Sequence, residues 1–378
     1  MTRDIALYVH FPFCRRKCRY CSFVSYENRE ADIPEYLNAI KMEMAENNCG
    51  VRVGSIYFGG GTPSLLTAGQ IGDVLKAIDS LFTVSGTAEI TIEANPGTID
   101  LAYLADIRKL GVNRLSLGVQ SLRDSELALL GRIHTADEAG RALQLARMSG
   151  FDNVNLDLIY GLPDQSLTDW RSTLDIALAL APEHLSLYAL SLEVGTPLWQ
   201  AVEEKHLPGI DPDLAADQYE LAEDTLAAQG YRHYEISNWA KPGRECRHNL
   251  VYWRNQPYLG IGVAAHSYLD GHRLANTRSL DDYLAGFSRG ALPEKEMDEK
   301  ISPELQTAET VILGLRLNAG IGVDKIKTQC AVDLRRRYRQ SLGEMTELGL
   351  LEYSGGNLRL TRRGRLLSNE VFWRFLPE

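Results

Sequence analysis

The chain alternates between short apolar runs and longer stretches whose apolar residues recur every three or four positions. Runs at Ile5–His10, Ser55–Phe58, Glu89–Ala94, Arg114–Gly118, Val154–Ile159 and Leu185–Ala189 read as strands. Short apolar runs set off by turn-forming residues suit buried strands. Between them, Glu35–Glu46, Ala68–Leu81, Leu101–Leu110, Ala136–Met148 and Leu167–Leu180 carry an amphipathic helical pattern. This alternation predicts parallel β/α units, because a parallel strand needs a crossover to return. The expected fold is α/β, a partial (β/α)6 barrel. Barrels of this kind place their chemistry on the loops after the strands. There the sequence puts His10 to Cys21, Gly59–Thr62, Glu93–Asn95, Gln120 and Asp157.

Near Pro208 the rhythm changes. A helical pattern at Asp213–Gln229 leads into an aromatic-rich, irregular region that ends near Leu284. Gly290–Ser302 is charged, contains Pro293 and reads as a linker. Helical patterns follow at Pro303–Leu317, Val323–Cys330 and Asp333–Leu348. Then come Leu350–Tyr353, a turn at Ser354–Asn357, and Leu358–Thr361. Helices followed by a small hairpin predict an α+β, winged-helix-like C-terminal domain. The expected divisions are 1–207 for the barrel, 208–290 for an aromatic-rich extension and 291–378 for the C-terminal domain.

Composition narrows the class. The 378 residues are 44% apolar and 24% charged, which fits a globular chain and excludes a disordered one. A net charge of -10 argues against non-specific nucleic-acid binding. From residue 301 on, 12 Lys and Arg face 9 Asp and Glu, and the basic run Arg335–Arg339 stands out. It reads as a solvated helix face or a protein-docking surface, so no nucleic-acid partner is expected. No apolar run is long enough to cross a bilayer, and the start lacks the layout of a signal peptide. A cytoplasmic location is expected, with docking at a membrane surface compatible.

Six cysteines then change the picture. Cys49, Cys246 and Cys330 are scattered, whereas Cys14, Cys18 and Cys21 form C-x3-C-x2-C just after the first expected strand. Three thiolates on one loop can hold three irons of a [4Fe–4S] cluster and leave the fourth open to a cofactor. The alternative is a zinc knuckle, but zinc favours a closed set of four ligands and no fourth lies nearby. Gly59-Gly60-Gly61-Thr62-Pro63 follows the second strand. It is either a tight turn or a stretch of backbone that a ligand can approach closely.

The cysteine spacing resembles that of the radical S-adenosylmethionine superfamily. More narrowly, the chain is similar to the oxygen-independent coproporphyrinogen III oxidase family. Leu7–Cys14, Gly59–Pro63, Ile92-Glu93-Ala94-Asn95-Pro96, Gly118-Val119-Gln120-Ser121 and Asp157–Pro163 carry that likeness over most of residues 5–270. It implies Cys14, Cys18 and Cys21 as cluster ligands. It implies Tyr8, Gly60, Gly61, Thr62, Glu93, Gln120, Arg132 and Asp157 around S-adenosylmethionine. Tyr20, Ala189 and His266 fall where the oxidase contacts a second S-adenosylmethionine. Structural alternatives remain: Glu93 could cap the next helix, and Asp157 could simply pair with Arg132.

Two departures point to the heme-chaperone (HemW) branch of that family. The oxidase carries a further cysteine where this chain has Phe23, and only seven residues precede Tyr8. His248-Asn249-Leu250-Val251-Tyr252-Trp253 also matches that branch's H-N-x-x-Y-W motif. An imidazole beside two large aromatics can serve a heme, with His248, Asn249, Tyr252 and Trp253 as candidate contacts and Cys246 as an alternative ligand. The other reading is a core turn in which His248 and the aromatics pack. The resemblance thus implies a chaperone that binds heme and delivers it to respiratory hemoproteins, membrane cytochromes among them, with a monomer–dimer balance. The competing readings are an oxidase that decarboxylates coproporphyrinogen through S-adenosylmethionine cleavage, and a radical enzyme acting on another tetrapyrrole.

Overall fold

The computed structural model describes residues 4–48 and 50–377. Cys49, read from sequence as structural or incidental, lies outside the described residues. Six parallel strands come in chain order: β1 (Ile5–Phe11), β2 (Arg52–Gly60), β3 (Thr83–Ala94), β4 (Arg114–Gln120), β5 (Val154–Tyr160) and β6 (His184–Ala189). Each pairs with its sequence neighbour in parallel. Between and after them lie α1 (Ile33–Glu46), α2 (Ala68–Leu81), α3 (Leu101–Lys109), α4 (Asp124–Leu130), α5 (Ala136–Met148), α6 (Leu167–Ala179), α7 (Pro197–Glu203) and α8 (Pro212–Ala228). The expected α/β barrel architecture is therefore present.

Local sequence explains these elements. β1 and β5 are buried on both faces apart from one position each, as parallel strands covered by helices should be. Capping boxes start three of the helices: Thr67 with Gln70, Thr135 with Glu138 and Ser166 with Asp169. Each such cap contributes about 1 kcal/mol, because it satisfies amides that the first helical turn leaves open. One apolar core runs from Leu7 and Phe58 through Leu117 and Leu156 to Trp170 and Trp239.

The sheet does not stop at six strands. β7 (Arg232–Glu235) and β8 (Asn238–Ala240) add antiparallel at the β6 edge. At the β1 edge, β9 (Tyr258–Ile261) adds in parallel, and β10 (His266–Leu269), β11 (His272–Asn276) and β12 (Lys295–Lys300) follow antiparallel. The described sheet has twelve strands in the order β12-β11-β10-β9-β1-β2-β3-β4-β5-β6-β8-β7. The region expected to be irregular thus contains most of these added strands. The expected linker Gly290–Ser302 is also a correction: its charged middle is edge strand β12. Charges on an edge are how sheets discourage further pairing.

Beyond β12, a separate core gathers Val311, Leu315, Ile326, Leu342, Leu358 and Phe375. It includes α-helical Pro303–Leu315 and a three-stranded antiparallel sheet of Ile321–Gly322, Asn357–Leu360 and Leu351–Ser354. The long helix expected over Asp333–Leu348 is interrupted at Tyr338. Arg335, Arg336 and Arg337 are exposed on its first turn, in keeping with a solvated face. Ion pairs join this unit to the barrel: Arg316–Glu235 at 3.4 Å, Arg365–Glu223 at 2.7 Å and Arg362–Asp224 at 2.9 Å.

Candidate functional site

The C-terminal ends of the strands converge on a cavity of about 390 Å³. Cys14, Cys18, Tyr20, Cys21, Gly60, Gly61, Thr62, Glu93, Gln120, Arg132, Asp157 and Ala189 all line it. The cysteine loop leaves β1 and is held at several points. Phe13–Cys14 pairs with Tyr26–Glu27, the Arg19 amide donates to the Leu130 carbonyl at 3.0 Å, and the Cys21 amide donates to the Cys18 carbonyl at 3.2 Å. Thr62 Oγ1 donates to Cys14 Sγ at 3.5 Å, and Arg132 Nη1 donates to Cys18 Sγ at 3.1 Å. Such donors favour thiolates. Burial works the other way and raises the Cys14 and Cys21 thiols above their usual range. Among the described residues, no three His, Cys, Asp or Glu side chains could hold a single metal ion. A [4Fe–4S] cluster asks for a looser set, one thiolate on each of three irons.

The glycine loop is a cradle that side chains would fill. A Cβ on Gly61 would sit 2.6 Å from the Phe13 carbonyl oxygen and 3.0 Å from Cys14 Sγ. Gly60 has φ +117°, and a Cβ there would press on the His10 ring at 2.7 Å. That ring cannot yield, since His10 Nε2 donates to the Val24 carbonyl at 2.9 Å and its Nδ1 takes the Tyr8 hydroxyl at 3.0 Å.

Glu93 is the penultimate residue of β3 and does not cap the next helix, which Asp100 caps. It accepts from Tyr57 Oη at 2.8 Å and from the Gly60 amide at 3.2 Å. Desolvation first, and Asp157 second, push its pKa up to about 7. A carboxylate so placed fits an incoming ammonium. Asp157 is held by Asn155 Nδ2 at 2.8 Å and Ser116 Oγ at 3.1 Å, and forms no ion pair with Arg132. Arg132 instead reaches Cys18 and, at 2.6 Å, the Gly118 carbonyl, while its Nε has no protein partner. Gln120 sits at φ +69° where β4 bulges between Gly118 and Gln120, a strained position at the cavity rim. A cradle free of side chains, a raised carboxylate, an unpartnered guanidinium nitrogen and three thiols together fit a cluster with S-adenosylmethionine.

A second cavity, of about 810 Å³, adjoins the first and shares Ser22, Phe23 and Glu193 with it. Tyr8, Tyr252 and His266 line this cavity and not the first. His248, Asn249 and Trp253 line neither. They lie on α9 (Arg247–Trp253), whose first amides donate to Glu89: Arg247 at 3.1 Å and His248 at 3.0 Å. His248 is buried, with Nδ1 against Ser55 Oγ at 3.0 Å and Nε2 against Tyr252 Oη at 2.8 Å. Burial and Arg114 lower its pKa to about 3. Both ring nitrogens are therefore engaged within the protein. The Trp253 ring lies under Arg316, at 4.4 Å. Cys246 is buried beside Glu89, and burial lifts its thiol to about 12.

Sequence reasoning missed Tyr57, which orients Glu93 and lines the first cavity. The alternation Ser55–Tyr57–Gly59 along β2 carried that signal, since residues two apart share a face. It also missed Tyr258 and Met297, which line the second cavity from strands β9 and β12.

Comparison with known proteins agrees with this geometry. Residues 8–177 match the Radical SAM superfamily and residues 301–367 the HemN C-terminal domain. The heme chaperone HemW of Synechocystis sp. is 40% identical over 326 residues, spanning 84% of this chain and 79% of the relative. That of Bacillus subtilis is 35% identical over 377 residues, spanning 98% and 99%. Among solved structures, the Escherichia coli coproporphyrinogen III oxidase (HemN), a radical SAM enzyme, superposes with a TM-score of 0.86 at 27% identity, covering 99% of this chain and 90% of that one.

Proposed function

The chain belongs to the HemW family within the radical SAM superfamily, and we propose from that premise that it is a heme chaperone. It binds heme and passes it to respiratory hemoproteins, membrane cytochromes among them. A [4Fe–4S] cluster and S-adenosylmethionine support assembly or transfer. The observation that carries this reading is adjacency: the cofactor cavity and a larger, aromatic-lined one meet at Ser22, Phe23 and Glu193. Such cavities suit a flat apolar ligand with a few polar anchors.

Bound in the first cavity, cluster and S-adenosylmethionine supply one-electron chemistry. The chain's own groups do the holding. Cys14, Cys18 and Cys21 ligate the cluster, and Arg132 supports Cys18 through its hydrogen bond. Glu93, oriented by Tyr57 and Gly60, takes the methionyl ammonium. Arg132 Nε is left for the methionyl carboxylate. Gly60, Gly61 and Thr62 line the cavity beside that ammonium, their own amides already taken by Glu93, Phe11 and Phe13, while Gln120 and Asp157 face the rest of the cofactor. No described helix is long and apolar enough to cross a membrane. We place the protein in the cytoplasm, with membrane recipients met at the surface and a monomer–dimer balance.

The fold shared with HemN over almost the whole chain favours the oxidase as the second reading. Anaerobic incubation with coproporphyrinogen III, reductant and S-adenosylmethionine separates the two. The chaperone reading expects heme binding and no protoporphyrinogen. Robust protoporphyrinogen formation would overturn it.

A further inference from the structure

His266 opens strand β10 and is exposed, yet it lines the second cavity and makes no side-chain hydrogen bond among the described residues. It contrasts with His248, whose two nitrogens are both taken. Its surroundings suit a porphyrin. The Tyr252 and Tyr258 rings meet edge to face at 4.7 Å in the same cavity, and Phe23, 68% exposed, stands at the wall shared with the cofactor cavity. Flat aromatic ligands gain from such contacts beyond the area they bury. Strand register sets His266 opposite Ala275 and Ala275 opposite Met297, so a methyl side chain separates the imidazole from a polarisable thioether on one face. That leaves room above the alanine. Arg278, exposed and without an ion pair among the described residues, lines the same cavity and suits a propionate.

We propose that heme is held in the second cavity with His266 Nε2 or Nδ1 on the iron, and that His248, whose ring nitrogens meet Ser55 and Tyr252, serves the fold. The inference rests on the chaperone reading and assigns its heme site. Partial desolvation at the cavity wall lowers the His266 pKa, which favours the neutral imidazole with its lone pair available. The competing occupant is a second S-adenosylmethionine, for which the oxidase likeness also nominates His266.

Titration of hemin into cluster-loaded protein, read by the Soret band, tests the assignment. His266→Ala should displace the band and raise Kd at least tenfold. His266→Met, which returns an iron ligand, should recover binding with its own band position. His248→Gln should leave the band position unchanged. An unchanged band in His266→Ala together with a displaced band in His248→Gln would overturn the proposal. So would loss of one S-adenosylmethionine equivalent in His266→Ala with heme binding intact. Absence of heme binding by the unaltered protein would instead sink the chaperone reading itself. Retained iron–sulfur absorbance in each variant excludes misfolding as the cause.

Discussion

The two cavities share a wall but are built on different principles. The first is made of backbone and fixed charge at the ends of parallel strands. Its glycines leave no space for a side chain, and Glu93 and Arg132 are tied by hydrogen bonds to neighbouring strands. The second is larger, lies over β9 to β12 and is walled by rings and a thioether. Tyr8, His10, Tyr252, Tyr258 and Asn276 are held there by hydrogen bonds, whereas the side chains of His266, Arg278 and Glu296 make none among the described residues. A tight cradle suits a cofactor that stays. An open aromatic wall, with one free imidazole, suits a cargo that must leave.

The largest expected effect separates the two outright. Cys18→Ser removes a thiolate supported by Arg132 and should abolish cluster assembly, seen as loss of iron–sulfur absorbance on anaerobic reconstitution. Hemin titration of the same variant should keep its Soret position. If heme binding vanished too, the cavities would be one cooperative unit and the contrast would fail.

Legibility in the sequence followed the same division. The first cavity was readable because its residues sit in short motifs directly after strands whose apolar runs are unmistakable, such as Leu7–Phe11 before Cys14 and Ile90–Ala94 around Glu93. The second was not, because topology assembles it. β9 joins β1 across some 250 intervening residues, and β12 reads Lys295-Glu-Met-Asp-Glu-Lys300, a charged edge strand that sequence alone cannot tell from a linker. The motif at His248–Trp253 was visible, but only the structure shows that just Tyr252 of its candidate contacts lines a cavity.

A smaller effect probes the first cavity's charge. Glu93, with its pKa near 7, is mostly protonated and neutral at pH 6 and cannot then pair with an ammonium. S-adenosylmethionine affinity should therefore rise between pH 6 and 7.5, by roughly eightfold if only the carboxylate binds. Glu93→Gln should flatten that profile and hold affinity at the weak, acid-side level. Equilibrium dialysis across this range decides it. An unaltered slope in the variant would move the ammonium partner elsewhere, and the cradle's fixed charge would lose its role.

The smallest effect on binding comes from Tyr252→Phe, and it sharpens what the buried motif is for. The change deletes only the hydroxyl that meets His248 Nε2 at 2.8 Å. His248 is 1% exposed, so its Nε2 loses its partner in the core. That costs about 1–3 kcal/mol of stability, measurable as a lowered denaturant midpoint with an unchanged slope. The phenyl ring still meets Tyr258 at the cavity wall, so heme affinity should move less than threefold. Stability lost with affinity kept means His248 serves the fold and the ring serves the ligand. Affinity lost more than tenfold with stability kept would place the polar end of the motif on the heme, and the aromatic wall would no longer be the part that holds the cargo.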